Sequence, residues 1–498
     1  MDNIINIIKN SQDKYLEGKN KEYIKKKSQF FTPDDIAYKM IKTINLKNIL
    51  SKETIYILEP SAGCGILIGT LIRELMNSTN DIKEIYIDAY ENDMELASLL
   101  RSNLIKIKKV AKEKNNINIK YKVIQDNFII RNRKKWSSNK TFRGYDIIIS
   151  NPPYKKINQE SEEACIMNNI IHGQPNLYTL FIAMSIKMLN YDGIYTVLSP
   201  RNYLTGEYSK LLRKYILKKC SLKHIHSFGN RHIFTSVNQE VIISTFQAKQ
   251  SDNKINIMYN EEIGFVADFE DIILDKESMS IVVPKNKEDM KLLEKFEKYT
   301  YSLKDLGFKV NVGPVVQFRN EEYLSREIYS KKYAPMIIAN DIQKDNQIVY
   351  YIRENKRKTH QKSISIKSKN LISNNNYLLL RKITAKDDDA LIVCAVLEES
   401  YFDHNLIGLD NNLLYFLKDD NSYISIEECY GLFCFINSDD FSNYYSIING
   451  THTINVTDFN KIRFPSYDII VAMGNEIIQS KIYSKDNCTM LIDKYINI

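Results

Sequence analysis

From about residue 30 to residue 250, short apolar runs alternate with stretches of helical periodicity. The runs predict strands at Ile55–Leu58, Ile85–Ala89, Tyr121–Ile124, Tyr145–Ser150, Ile194–Leu198, His224–Phe228 and Val241–Phe246. Between most of them apolar residues recur at helical spacing, as in Leu67–Met76 and Leu177–Leu189. Strands alternating with helices need crossover connections, so the pattern predicts a parallel sheet covered on both faces. No helical stretch separates the last two runs, which predicts an antiparallel hairpin at one edge of the sheet.

The alternation stops near residue 285. Polar stretches such as Ser373–Asn376 and Lys386–Asp389 read as loops, and strands and helices no longer follow in turn. A boundary near Pro284 therefore separates an α/β domain, residues 29–284, from a mixed α+β domain, residues 285–498. Residues 1–28 read as a basic helical arm ending in Lys25, Lys26 and Lys27. No internal repeat is present.

Composition narrows the class. At 498 residues the chain is long enough for two or three cores. Its formal charge of +8 leans towards an acidic partner such as nucleic acid, although the charges are spread along the chain. The 33 tyrosines could stack on bases, but burial statistics assign most of them to cores. Seven scattered cysteines contain no CxxC pair, which argues against a zinc site or a disulfide framework and suits a reducing cytoplasm. The N-terminus lacks the features of a signal peptide, and no apolar run reaches membrane-spanning length. Neither a metal nor a membrane is expected.

Four segments carry the candidate chemistry. The first, LEPSAGCG from Leu58 to Gly65, joins a strand to a helix. Such a turn brings backbone N–H groups close to a ligand, and Gly63 and Gly65 permit backbone angles other residues avoid. It is neither GxGxxG nor a P-loop. Glu59 would repel a phosphate and suits a cationic group, such as the amino end of a methionine moiety. The second, YENDMELA, ends the next strand, where Glu91 suits a pair of ribose hydroxyls, with Asn92 beside it. A helix-terminal acid is the competing reading. The third is QDNF, where Asp126 suits an adenine amino group, with Asn127 adjacent and Phe128 flanking the ring. A plain turn aspartate competes there.

The fourth segment is the most specific. The apolar strand YDIIIS runs into Asn151, Pro152, Pro153 and Tyr154. Prolines stiffen the backbone, so the Asn151 side-chain oxygen and the Pro152 carbonyl can hold a set geometry. Two such acceptors suit an exocyclic amine, whose delocalised lone pair makes it a poor nucleophile until its N–H groups are held. Tyr154 offers an aromatic face for the base.

In this order the segments resemble the gamma class of amino-methyltransferases, the TaqI-like and Eco57I-like adenine methylases. The segment SQFFTPDDIAYKMI is similar to the first segment of that class, with Phe31, Thr32 and Pro33 where the class contacts the methionine part of its cofactor. Thr32 also reads independently as a helix N-cap with Pro33 at the first helical position. The resemblance implies a Rossmann-like class I S-adenosylmethionine-dependent sheet. The implied cofactor is S-adenosylmethionine, held by Phe31, Thr32, Pro33, Glu59, Ser61, Ala62, Gly63, Gly65, Glu91, Asn92, Asp126, Asn127, Phe128 and Asn151. It implies methylation of N6 of an adenine flipped from double-stranded DNA. Catalytic residues would be Asn151 to Tyr154, with Phe234 as a second aromatic around the base. Asn176 stands where the class often has Asp. The segments VGPVVQFRN, YLLLRKITAKDDD, DHNLIGLD and NGTHTINVTDFNKIRFP echo recognition domains of type II adenine modification enzymes.

Lys155 and Lys156, and Arg353, Lys356, Arg357 and Lys358, are candidate phosphate contacts. A cognate restriction endonuclease is a candidate partner, and a monomer is the expected state. Two rival functions stand beside this reading: a silent DNA-binding or specificity subunit on the same fold, and an NPPY methyltransferase acting on RNA or on protein glutamine. N4 of cytosine is the alternative target within DNA.

Overall fold

The computed structural model describes residues 2–19, 31–138, 143–229, 240–248, 253–260, 264–350, 361–383, 391–449 and 453–496. The chain divides into two compact units, Met1–Asn286 and Lys287–Ile498.

Unit one is built on a nine-stranded sheet. Its strands are β1 (Thr54–Glu59), β2 (Glu84–Tyr90), β3 (Asn118–Ile124), β4 (Tyr145–Ser150), β5 (Leu189–Pro200), β6 (Ser221–Ser227), β7 (Val241–Gln247), β8 (Lys254–Tyr259) and β9 (Phe265–Asp268). They lie in the order β3-β2-β1-β4-β5-β7-β6-β8-β9. The continuous apolar run of β4 buries all six residues, so it sits inside the sheet, whereas β3 carries Lys120 and Lys122 at the rim. β1 pairs in parallel with β2 and with β4, so the strand order reverses between β1 and β4. The register aligns Glu59 with Ala89 and Tyr90 with Ile124. The carboxyl ends of the first strands therefore share one rim, where ligands of open α/β sheets bind.

The expected antiparallel hairpin exists, since β6 pairs antiparallel with β7. It does not form the edge. β7 inserts between β5 and β6, β8 pairs in parallel with β6, and β9 closes the rim antiparallel to β8. The strands β8 and β9 are short and half-exposed, so their apolar signal is too weak to read beforehand. The helix Leu177–Lys187 stops short of Leu189, which already belongs to a longer β5.

The N-terminal arm is also revised. Asp2–Leu16 is a helix that buries Ile4, Ile5, Ile8 and Tyr15 in the core of unit one. Gly69, in the helix Ile66–Asn77, makes this possible: a Cβ there would lie 2.3 Å from Ile8 Cδ1. Lys25, Lys26 and Lys27 lie outside the described residues.

Unit two is mixed α+β. A four-stranded antiparallel sheet runs Phe308–Val312, Leu413–Lys418, Tyr377–Arg381, Cys394–Leu397. A second sheet of short strands runs Leu324–Ser325, Ser363–Ser365, Tyr333–Ile337, Leu406–Leu409, Ile372–Ser373. Helices Ile426–Asn437 and Tyr467–Ser480 pack against each other through glycines. Asn374 and Asn375, inside a stretch that reads as a polar loop, are buried; Asn374 donates to the carbonyls of Glu399 and Phe402. Among the described residues no helix is long and apolar enough to cross a membrane.

Candidate active site

At the carboxyl rim of β1 to β4 lies a cleft of about 540 Å³. It brings together Phe31, Ser61, Gly63, Glu91, Asn92, Asp126, Asn127, Phe128, Asn151, Pro152 and Pro153, drawn from the turns after β1 to β4 and, for Phe31, from the segment before the helix Asp34–Lys42. The turn after β1 is held open by left-handed backbone, with φ +52° at Gly63 and +89° at Gly65. Its carbonyl and amide groups are tied down: Ala62 N donates to Tyr90 O at 2.9 Å and Ser61 Oγ to Asn151 O at 3.0 Å. Asn103 Nδ2 donates to Cys64 O at 3.0 Å and in turn accepts from Ser11 of the N-terminal helix. Thus the helix that reads as an arm braces the glycine turn.

Glu91 sits at the end of β2. One of its oxygens accepts from Gly63 N and the other from Asp93 N, each at 2.8 Å. Burial raises its pKa, with the two amides pulling the other way. Each carboxylate oxygen keeps lone pairs for further donors. Asn127 caps the short helix Phe128–Arg131 and donates through Nδ2 to Glu163 Oε1 at 2.8 Å. Asp126 Oδ1 accepts from Asn127 N, and the side chain stands 3.9 Å from Arg131 Nε. Phe128 is buried between Tyr90 and Phe181, with ring centroids 5.0 and 5.2 Å away.

The Asn151 side chain is fixed on both sides. Its Nδ2 donates to Thr32 Oγ1 at 3.1 Å, and its Oδ1 accepts from the Tyr154 hydroxyl at 2.8 Å. The same hydroxyl lies 3.1 Å from Leu198 O. Tyr154 is not part of the cleft wall; its ring meets Tyr178 edge-on with centroids 6.1 Å apart. Its pKa is raised by burial, which keeps the phenol protonated and a donor. The Pro152 carbonyl has no hydrogen-bond donor among the described residues.

Several sequence expectations change here. Thr32 does not cap the following helix: Pro33 is the capping position, with ψ 150°, and Asp34 begins the helix Asp34–Lys42. The Thr32 hydroxyl, 5% exposed, faces Asn151 instead. Thr32, Pro33, Ala62 and Gly65 are not among the residues that line the cleft. Glu59 is buried outside the cleft wall, and its Oε2 has no partner among the described residues. Lys155 lines the cleft mouth, while Lys156 is exposed beyond it. Phe234, Arg353, Lys356, Arg357 and Lys358 lie outside the described residues.

The sequence did not single out Leu177 and Phe181, which line the cleft from the start of the helix Leu177–Lys187. The available signal was Asn176, whose side chain caps that helix and so aims its first turn at the cleft.

Burial pushes the Glu59 carboxyl well above its ordinary value near 4.5, and the charge of Glu91 adds to the effect. The neutral acid is favoured in the fold. Its stabilising contribution is complete below about pH 4.5, where the unfolded group is also protonated, and is lost as pH rises through the raised value. Glu59→Gln is therefore expected to raise the melting temperature of the free protein at pH 8 by about 2–4 °C, and by much less near pH 4. Thermal scans at both pH values check this; equal melting at pH 8 would contradict it.

The strand order, with its antiparallel seventh strand and its cleft at the β1/β4 reversal, defines a class I S-adenosylmethionine-dependent methyltransferase fold. Residues 34–234 match the Eco57I restriction-modification methylase family. The chain is 27% identical to the type II methyltransferase M.BsuBI of Bacillus subtilis, covering 91% of this chain and 90% of that protein. It is 28% identical to the type II methyltransferase M.PstI of Providencia stuartii, covering 84% of each. Among solved structures, the type IIL restriction-modification enzyme MmeI in complex with DNA shares the fold, with TM-score 0.51 and 11% identity, covering 93% of this chain and 73% of that one. Residues 34–234 thus match the methylase segment of a restriction-modification family, and most of the chain is similar in sequence to type II methyltransferases.

Proposed function

We propose that the protein transfers a methyl group from S-adenosylmethionine to N6 of an adenine flipped out of a specific double-stranded DNA sequence. The observation that supports this best is the meeting of Asn151 and Pro152 with Glu91, Asp126 and Phe128 in one cleft.

The residues fit the cofactor. Glu59, at the end of β1 behind the cleft wall, has one carboxyl oxygen without a partner among the described residues, and its ionised form would suit an ammonium group. A Cβ on Gly63 would point at Phe31, 3.7 Å away, so the bare glycine keeps that side of the cleft open. Glu91 would accept from ribose hydroxyls, Asp126 from an adenine amino group, and Phe128 would flank the ring. When bound, the cofactor supplies an electrophilic methyl group.

The chain then has three tasks. Flipping the base costs a few kcal/mol, which an aromatic contact offsets by about 1–3 kcal/mol; the Tyr154 ring stands behind the cleft wall and would have to be uncovered to provide it. Asn151 Oδ1 and the Pro152 carbonyl accept the two N–H groups of the exocyclic amine and favour a more tetrahedral nitrogen. The stiff Pro152–Pro153 backbone holds those acceptors in place, so the rate comes mainly from positioning. The proton leaves after transfer, which removes the need for a strong base. Unit two would read base edges in the major groove, and Lys155 would meet a phosphate. A restriction endonuclease of the same specificity is the proposed partner in the cell.

The test incubates the protein with radiolabelled S-adenosylmethionine and unmethylated DNA, then maps modified bases by sequencing. Label at N6 of adenine in one sequence context is expected. Label at N4 of cytosine, in RNA or in protein glutamine would replace the substrate assignment, and tight DNA binding without any transfer would make the protein a specificity subunit.

A further inference from the structure

We propose that Asn103 and Tyr15 are positioning residues for the cofactor. They carry the docking of the helix Asp2–Leu16 to two parts of the cleft wall, so that the docked helix tightens cofactor binding and a bound cofactor holds the helix down. The inference rests on the reading of the cleft as the S-adenosylmethionine site.

The first route runs through the glycine turn, whose Ser61 and Gly63 line the cleft. The turn is tied twice to the helix Met94–Asn115 and the residues that open it. Gly63 N donates to Glu91 Oε2 at 2.8 Å, and Cys64 O accepts from Asn103 Nδ2 at 3.0 Å. Asn103 is fully buried. Its amide has one satisfied orientation, because a carbonyl oxygen only accepts. With Nδ2 on Cys64 O, Oδ1 faces Ser11 Oγ at 2.8 Å. The reversed amide would set oxygen against oxygen at Cys64. The Ser11 hydroxyl has another acceptor, Ile7 O at 3.0 Å within its own helix. A helix that lifts off therefore keeps its serine satisfied, whereas Asn103 loses the donor to its buried oxygen. The cost of lifting falls on the residue that holds the turn.

The second route runs through Phe31. Tyr15, 1% exposed, meets Phe31 edge-on, with ring centroids 5.8 Å apart and 67° between the planes. Phe31 lines the cleft, and a Cβ at Gly63 would lie 3.7 Å from its ring. The ring that Tyr15 backs thus faces the turn that Asn103 ties. Ile4, Ile5 and Ile8 anchor the same helix in the core, and Lys19, just beyond it, pairs with Glu95 at 2.7 Å in the first turn of the helix Met94–Asn115. The helix Asp2–Leu16 reaches two parts of the cleft wall without lining the cleft itself.

Such coupling is reciprocal: if docking strengthens binding by some factor, binding strengthens docking by the same factor. That reciprocity separates a positioning role from a purely structural one.

The test uses the full chain with S-adenosylmethionine as the probe. Asn103→Leu is close in shape and removes both polar ends, Ser11→Ala removes only the donor, and Tyr15→Leu removes the ring. Leu75→Ala, buried at the far end of the helix Ile66–Asn77, is the control for lost stability. By calorimetry, affinity is expected to weaken about tenfold in Asn103→Leu and about threefold in Ser11→Ala and Tyr15→Leu, and to hold in Leu75→Ala at a similar loss of melting temperature. Methyl transfer at saturating cofactor is expected to stay within about twofold, so that KM moves and kcat does not. Saturating cofactor is expected to slow hydrogen exchange of the amides of Asp2–Leu16 about tenfold in the unaltered protein and far less in Asn103→Leu, with the helix Ile426–Asn437 unchanged in both. If Asn103→Leu does not fold, Ser11→Ala and the exchange of the unaltered protein decide. Unchanged affinity in these variants, or a helix whose exchange ignores the cofactor, overturns the proposal alone. Affinity that falls in step with melting temperature, Leu75→Ala included, overturns it in favour of a purely structural role. An unaltered protein that binds no S-adenosylmethionine, or a Glu91→Ala variant that binds it normally, removes the reading of the cleft and the proposal with it.

Discussion

Replacing Asn151 with alanine is expected to lower the methyl-transfer rate by at least about 100-fold, while cofactor affinity stays within a few-fold. The argument is geometric. Alanine removes the Oδ1 acceptor but leaves the backbone carbonyl that Ser61 holds, so the Pro152–Pro153 turn keeps its course. The groups suited to hold the cofactor, Glu91, Asp126 and Phe128, stand on the turns after β2 and β3, separate from the Asn151 turn. The amine then keeps only the Pro152 carbonyl as partner, and its nitrogen is no longer drawn towards a tetrahedral form. Thr32 and Tyr154 each lose a hydrogen-bond partner, which costs stability of about 1–3 kcal/mol. Single-turnover kinetics, calorimetry with S-adenosylmethionine and a thermal scan separate these effects. A variant that transfers methyl groups at the original rate would take the turn out of the mechanism.

Gly474→Ala is expected to destabilise unit two by about 3 kcal/mol or more, because overpacking here falls on backbone rather than on a mobile side chain. A Cβ at Gly474 would lie 1.9 Å from Glu427 O and 2.9 Å from Gly431 N. The neighbouring contact is equally tight from the other side, where a Cβ at Gly431 would lie 2.0 Å from Ile470 O. The helices Ile426–Asn437 and Tyr467–Ser480 can meet this closely only while both positions lack side chains. Relief requires the helices to separate, which uncovers Ile470, buried against Gly431. Gly307→Ala is the matched control. That glycine has φ +75° with nothing within 4 Å of a Cβ, so its replacement costs only backbone strain, about 1 kcal/mol. Urea unfolding of the two variants gives the comparison; similar midpoints would show that the helix pair adjusts without loss.

The central strands were legible because burial on both faces leaves an unbroken apolar run, as in Tyr145–Ser150, and because turn chemistry follows directly. The rim strands Lys254–Tyr259 and Phe265–Asp268 were not, since half of each faces outward and no run forms. The same contrast holds at the site. Gly63, Glu91, Asp126 and Asn151 could be picked out because each lies in the turn following a strand, and parallel pairing brings such turns to one rim. Leu177 and Phe181 could not, because an apolar residue on a helix carries no mark of whether it faces a core or a cleft. The N-terminal helix was misjudged for a related reason: its lysines suggested an arm, but Gly69 provides a groove for Ile4 and Ile8 that only packing reveals.

By itself the amino-acid sequence determined the alternation of strands and helices, the stiff Asn-Pro-Pro-Tyr corner and the order of the four turns, since these depend on local backbone preference and apolar periodicity. Tertiary structure alone decided that Thr32 turns from the helix towards Asn151, and that Glu59 is buried with one carboxyl oxygen unpartnered among the described residues. Those outcomes depend on atoms brought together from residues as far apart as 32 and 151, and distance along a chain says nothing about which donor will meet which acceptor once the sheet has closed.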